Sequence, residues 1–181
     1  AVATLLAIHR EIPAVVDPVM IPTRGGARLL APSALAAMKK ELIPRATLVT
    51  ANAPEAEALA SMRVLDLDSA KAAAMAIVKM GARAALVKGG HYNVSSRTAI
   101  DVLVIEKKTI LLEEKRLPLA PLHGGGCTLA SLITARLALE DRKIKLAKKI
   151  EDAVRWARRT HHMLLVKSTA DVGGALRVLF P

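Results

Sequence analysis

Three short apolar runs, each ending in a polar residue, constrain this chain more than any other feature. Ala14-Val15-Val16 runs into Asp17-Pro18, Thr47-Leu48-Val49-Thr50 leads to Asn52, and Ala84-Ala85-Leu86-Val87 leads to Lys88-Gly89-Gly90-His91. The runs are continuous rather than alternating, which is the pattern of strands buried on both faces, as in a parallel sheet. Helical segments separate them. Ser33 is expected to cap a helix through Leu42, with Leu35, Met38 and Leu42 on one stripe and Pro44 ending it. Asn52 and Pro54 open another, and Asp68 is expected to cap a third that Gly81 closes. Strands alternating with helices give an α/β fold with a mostly parallel central sheet.

Further along, Ile100 to Ile105 and Thr109 to Leu112 read as a hairpin around Lys107-Lys108. Gly124-Gly125-Gly126-Cys127-Thr128 opens a helix to about Leu139, and a long helix covers about Ile144 to Val166. Gly173-Gly174 precedes a short tail. With no linker or internal repeat, residues 1–181 are expected to form a single domain.

Composition narrows the function classes. At 52% apolar and 24% charged residues, the 181-residue chain can build a core and is not a disordered segment. Aromatic residues are only 2%, too few for stacking on nucleic-acid bases. The lone Cys127 excludes an intramolecular disulfide framework and a paired-cysteine zinc site. The net charge of +11 is concentrated late, at Lys143, Lys145, Lys148, Lys149, Arg155, Arg158, Arg159 and Lys167. That cluster reads as a solvated helix face, with an anionic partner surface as the rival. No apolar stretch approaches the roughly 20 residues that span a bilayer. Ala1 to Ile8 lacks a basic leader and soon meets His9, Arg10 and Glu11, so a cytoplasmic protein is expected. The chain begins without Met, as a fragment or a processed product does.

In sheets of this kind ligands sit at the carboxyl ends of the strands. Those ends carry Asp17, Asn52 with Glu55, and Lys88. Asp17 closes a buried strand and needs a partner: a metal, a lysine or a backbone N–H. Asn52 and Glu55 are three apart across a strand-to-helix turn. They either offer hard oxygens to Mg2+ or form a helix cap with a first-turn acid. Lys88 can reach phosphate oxygens or serve as an ordinary strand-end lysine. Gly124, Gly125 and Gly126 at a helix start form either an anion nest or a turn that needs positive φ. Cys127, in the first turn, is either a thiolate favoured by the helix dipole, able to act as base or nucleophile, or a small buried hydrophobe.

Taken together, these residues resemble a known family. Val15-Val16-Asp17-Pro18-Val19-Met20, Val49-Thr50-Ala51-Asn52-Ala53-Pro54-Glu55-Ala56, Val87-Lys88-Gly89-Gly90-His91, Asp101-Val102-Leu103 and His123-Gly124-Gly125-Gly126-Cys127-Thr128-Leu129-Ala130 occur in the order and spacing of hydroxymethylpyrimidine/phosphomethylpyrimidine kinase. This is the thiamine-pathway branch of the ribokinase-like superfamily. The match runs from about Ala14 to Ala138.

The resemblance implies a three-layer α/β/α ribokinase-like sandwich that lacks the family's N-terminal segment. It implies ATP and Mg2+ as cofactors, and a pyrimidine alcohol, then its phosphate, as acceptors, with neither nucleic acid nor membrane as partner. By the same analogy Cys127 is the catalytic base, and Gly124, Gly125 and Gly126 form the anion hole. Asn52 and Glu55 place Mg2+ and phosphate, Lys88 contacts nucleotide phosphates, Asp17 lies near the metal and Val19 borders the pyrimidine. The family's Thr-His-Gly-Thr-Gly-Cys reads Leu122-His123-Gly124-Gly125-Gly126-Cys127 here, losing two hydroxyls and keeping the backbone donors. Two alternatives stand beside this reading: a pyridoxal/pyridoxamine-type kinase, and a nucleotide-binding remnant without turnover. Self-association into a homo-oligomer is left open.

Overall fold

A computed structural model describes residues 1–20, 29–92, 96–117, 122–139, 143–167, 169–171 and 177–179. The glycine-bearing loop after Met20 and the Gly173-Gly174 segment lie outside the described residues. The chain forms two compact units, Ala1–Pro22 with Gly26–Arg116, and Thr23–Gly25 with Leu117–Pro181.

The first unit is an α/β sheet structure. Strands β1 (Val15–Val16), β2 (Leu48–Ala51), β3 (Ala84–Val87), β4 (Thr98–Ile105) and β5 (Lys108–Lys115) lie side by side in chain order. β1, β2 and β3 are mutually parallel, with Val15 opposite Leu48 and Val49 opposite Ala85. β4 and β5 add an antiparallel hairpin. Every residue of β2 and β3 is buried, which accounts for their unbroken apolar sequence.

Helix α1 (Val2–Ile8) precedes the sheet, and α2 (Pro32–Ala37) continues through a π-helical turn at Met38–Leu42 and a 3-10 turn at Ile43–Arg45 into β2. The expected cap at Ser33 is not found. Pro32 takes the first helical position and Ala31 the cap, because proline's fixed φ and missing N–H suit that place.

Helices α3 (Ala53–Ala60) and α4 (Leu67–Lys79) cross from β2 to β3. The cap of α4 is Asp66 rather than the expected Asp68. Asp66 Oδ1 accepts from the Ser69 amide at 2.8 Å, and Ser69 Oγ accepts from the Asp66 amide at 3.0 Å. Asp68 instead sits in the first turn and pairs with Lys71 at 2.9 Å. α4 buries Ala70, Ala73, Ala74 and Ile77, the i, i+3, i+4, i+7 stripe of a core-facing helix. Small alanines there let the helix pack close against Val49, Ala85, Val87, Val102 and Val104.

The second unit contains β6 (Leu122–His123), α5 (Gly125–Leu139), α6 (Leu146–Lys167), β7 (Thr169–Asp171) and β8 (Arg177–Leu179). The two helices pack together. α5 buries Leu129, Ala130, Ile133 and Leu137; α6 buries Ile150, Ala153, Val154 and Ala157. The Arg136 guanidinium lies 5.6 Å above the Trp156 ring, a cation–π contact between the helices. The late basic cluster is partly matched within α6, where Lys148 pairs with Asp152 and Arg155 with Glu151 one turn away. β6, β8 and β7 form a three-stranded sheet in that order, which the sequence reading did not anticipate. Strands of two or three residues are too short to leave a period in the sequence.

Among the described residues no helix is long and apolar enough to cross a membrane.

Candidate functional site

Because β1, β2 and β3 are parallel, their carboxyl ends share one edge of the sheet. The residues that follow them, Asp17, Asn52 and Lys88, are therefore neighbours although the sequence separates them widely. Lys88 is fixed first by its backbone, whose amide donates to Ala51 O at 2.8 Å. Its side chain then turns back across the strand ends. Nζ lies 3.3 Å from Asp17 Oδ1, 3.9 Å from Glu55 Oε2 and 3.4 Å from the Thr50 carbonyl. Thr50 Oγ1 donates to the same Asp17 oxygen at 3.2 Å. Of the three partners left open for Asp17, the first unit supplies a lysine and adds a hydroxyl.

Asn52 and Glu55 form a reciprocal capping box at the start of α3. Asn52 Oδ1 accepts from the Glu55 amide at 2.9 Å, and Glu55 Oε2 accepts from the Asn52 amide at 2.8 Å. The cap aims the Glu55 carboxylate back toward the strand ends, so one residue both starts the helix and joins the Lys88 cluster.

The cluster is well withdrawn from solvent. The side chains of Lys88 and Asp17 are each 14% exposed and that of Glu55 5%. Burial pushes the Glu55 carboxyl above the usual value, an effect the Asn52 backbone hydrogen bond and the Lys88 charge oppose and the nearby Asp17 charge reinforces. His91, close by, is held below the ordinary histidine value by desolvation and by the charges of Lys88 and Arg116.

Two carboxylates around one ammonium leave one formal negative charge in excess. The ammonium suits phosphate oxygens, and the excess carboxylate suits a divalent cation. Among the described residues no three His, Cys, Asp or Glu side chains converge as a metal cage. Asp17 and Glu55 fit the sparser requirement of Mg2+, which takes one or two carboxylates and completes its shell with water and phosphate oxygens.

Val19 follows on the same strand end. Its amide donates to Asp17 O at 2.9 Å, and the residue is 42% exposed. Gly89 is buried against β4. A Cβ there would lie 2.6 Å from the Ile100 backbone nitrogen and closer still to its carbonyl, so only glycine lets the chain pass.

In the second unit, Gly124 has φ +81, which a side chain would resist, and its carbonyl accepts from both the amide and the hydroxyl of Thr128, at 2.8 and 2.9 Å. This starts α5 at Gly125 and puts Gly125, Gly126 and Cys127 in the first turn. Cys127 is exposed, so it is not the small buried hydrophobe that was one of its two readings.

Sequence reasoning did not single out Thr50, Tyr92, Asp101 or Arg116. Asp101 carried a signal: an acid inside the apolar strand Ile100-Asp101-Val102-Leu103 must be satisfied, and it accepts from the Gly89 amide at 2.6 Å.

The phosphomethylpyrimidine kinase family model matches residues 1–174. A hydroxymethylpyrimidine/phosphomethylpyrimidine kinase of Mycobacterium tuberculosis is 43% identical over 136 residues, covering 75% of this chain and 49% of the relative. The chain spans about half the length of the curated relatives it matches, 49% of the first among them. A pyridoxal kinase from Staphylococcus aureus in complex with ADP superposes with a TM-score of 0.79 at 25% identity, over 98% of this chain and 64% of that one. A phosphomethylpyrimidine kinase from Clostridium difficile gives 0.66 at 31% identity, over 88% and 62%. The fold is thus ribokinase-like, and the chain belongs to the phosphomethylpyrimidine kinase family.

Proposed function

We propose that this chain serves ATP- and Mg2+-dependent phosphorylation of 4-amino-5-hydroxymethyl-2-methylpyrimidine and then of its monophosphate, in thiamine biosynthesis. The observation that carries the reading is the Asp17–Lys88–Glu55 cluster at the ends of three parallel strands, in a chain of this family.

Phosphoryl transfer asks a protein mainly for positioning and charge neutralisation. Lys88 offers its ammonium to nucleotide phosphates. Asp17 and Glu55 would hold the cation, with Asn52 fixing Glu55 through the helix cap. A bound Mg2+ supplies charge neutralisation on the nucleotide phosphates. Val19 borders the pyrimidine ring. By the family resemblance, Gly124, Gly125 and Gly126 serve as the anion hole for the transferring phosphoryl and Cys127 as the base. As the acceptor oxygen forms its bond to phosphorus, the bond from phosphorus to ADP breaks and the hydroxyl proton passes to the Cys127 sulfur. We read residues 1–181 as a kinase domain of the cytoplasm, with small molecules as partners.

The pyridoxal kinase likeness, whose TM-score exceeds that of the phosphomethylpyrimidine kinase, favours one rival: a pyridoxal-type alcohol as acceptor. The loss of two hydroxyls from the Leu122-His123-Gly124-Gly125-Gly126-Cys127 segment favours another: nucleotide binding without turnover. Steady-state rates on the two alcohols with ATP and Mg2+ separate all three. Faster transfer to the pyrimidine supports the proposal, faster transfer to pyridoxal supports the first rival, and ATP binding without transfer to either supports the second.

A further inference from the structure

Lys88 stands immediately before two consecutive glycines, the most freely rotating pair a chain can offer. A lysine that must meet Asp17 and Glu55 across three strand ends needs the backbone beyond it held still. The described residues show what holds it. Arg116 follows β5, opposite the start of β4, and its amide donates to Arg97 O at 2.9 Å. Its guanidinium opens over the loop after Lys88. Nη2 donates to the carbonyls of Gly89 at 3.1 Å and Tyr92 at 3.3 Å, Nη1 to Gly90 at 2.9 Å, and Nε to Ser96 at 3.0 Å.

From the other side, Asp101 accepts the Gly89 amide, and the Tyr92 hydroxyl donates to the Ile100 carbonyl. The β4–β5 hairpin therefore does more than extend the sheet: its residues grip the Lys88 loop above and below.

We propose that Arg116 is a positioning residue for the phosphate site, its guanidinium bridging the Gly89, Gly90 and Tyr92 carbonyls so that Lys88 keeps its place beside Asp17 and Glu55. The assignment rests on the reading of Lys88 as a phosphate contact. A planar guanidinium with donors in a fixed fork can bridge several carbonyls at once, whereas a lysine ammonium is a point donor. The hydrogen bonds of Arg116 to the Gly89, Gly90 and Tyr92 carbonyls carry its effect through the loop.

The test uses the whole chain with Arg116→Ala, Arg116→Lys and, as reference, Lys88→Ala. Three quantities are measured: amide hydrogen exchange at residues 89–92 without ligand, ATP·Mg2+ affinity by calorimetry, and affinity for the pyrimidine alcohol. Arg116→Ala should speed exchange across the loop and weaken ATP·Mg2+ binding about tenfold, the effect of losing one or two charged hydrogen bonds. Pyrimidine affinity should hold within about twofold, a change worth only a few tenths of a kcal/mol. Millimolar guanidinium should restore part of the nucleotide affinity of Arg116→Ala, which a merely structural defect would not allow. Should that variant not fold, Arg116→Lys is expected to show the same pattern more weakly.

If Lys88→Ala weakens nucleotide binding while both Arg116 variants bind and exchange like the parent, the positioning role is overturned and the reading of Lys88 stands. If Lys88→Ala leaves nucleotide affinity unchanged, the reading of Lys88 falls, and the exchange data alone then decide whether Arg116 holds the loop.

Discussion

Lys88 Nζ lies 3.3 Å from Asp17 Oδ1 across 71 positions of sequence, and this pair ties the end of β3 to the end of β1 over the intervening β2. Both side chains are 14% exposed, so removing either leaves a charge poorly compensated in a partly desolvated place. Asp17→Ala should lower stability by about 1–3 kcal/mol, the range for a hydrogen bond to a charged group. Urea unfolding measures it, and an unchanged midpoint would mean the pair contributes nothing.

Gly89 and Gly90 are adjacent yet should behave differently. A side chain at 89 meets the Ile100 backbone, while at 90 nothing lies within 4 Å. Gly89→Ala should cost about 1–3 kcal/mol through overpacking, and Gly90→Ala should stay within about 0.5 kcal/mol of the parent. Equal midpoints in denaturant for the two variants would show that the close approach is not real.

Glu55 sets a pH dependence with a definite sign. Burial raises its carboxyl above the ordinary glutamate value, so the folded chain holds this proton to a higher pH than the unfolded chain does. Stability contributed through this group is therefore present below the unfolded value and is lost as pH rises through the folded value. Glu55→Gln, which can still accept the Asn52 amide, should remove that part of the slope. The carboxyl carbon of Glu55, followed by NMR, should titrate above 4.5, and added Mg2+ should move the midpoint down. A midpoint insensitive to Mg2+ would remove Glu55 from the cation site.

Cys127 is exposed in the first turn of α5, accessible for proton transfer. Cys127→Ser and Cys127→Ala should lower the turnover number by about 10²–10⁴, the range for losing a general base, with ATP·Mg2+ affinity unchanged. Parent-like turnover in either variant would contradict the base assignment.

The sheet and the strand-end residues were legible because burial on both faces forces continuous apolar sequence, and because a charged residue at the end of such a run has few uses. Asp17, Glu55 and Lys88 were found that way. The double role of Asn52 and Glu55 was legible only as two competing readings, since the same spacing serves a helix cap and a cation site. The structure shows the cap, with Glu55 also reaching Lys88. Asp66 was missed as a cap in favour of Asp68 because both precede the same apolar run and only the turn geometry around Ser69 distinguishes them. Arg116 left no trace in the sequence. Its acceptors are backbone carbonyls, present at every residue, and only the hairpin register places them within reach of its guanidinium.

We propose that the Asp17–Lys88–Glu55 cluster receives the phosphates of a Mg2+-bound nucleotide. Calorimetric titration of ATP with Mg2+ into the parent and into Lys88→Ala tests it most directly. Saturable binding by the parent is expected, with an affinity weaker by about tenfold or more in Lys88→Ala, as a lost charge-assisted contact to phosphate requires. Equal affinities in the two proteins would contradict it.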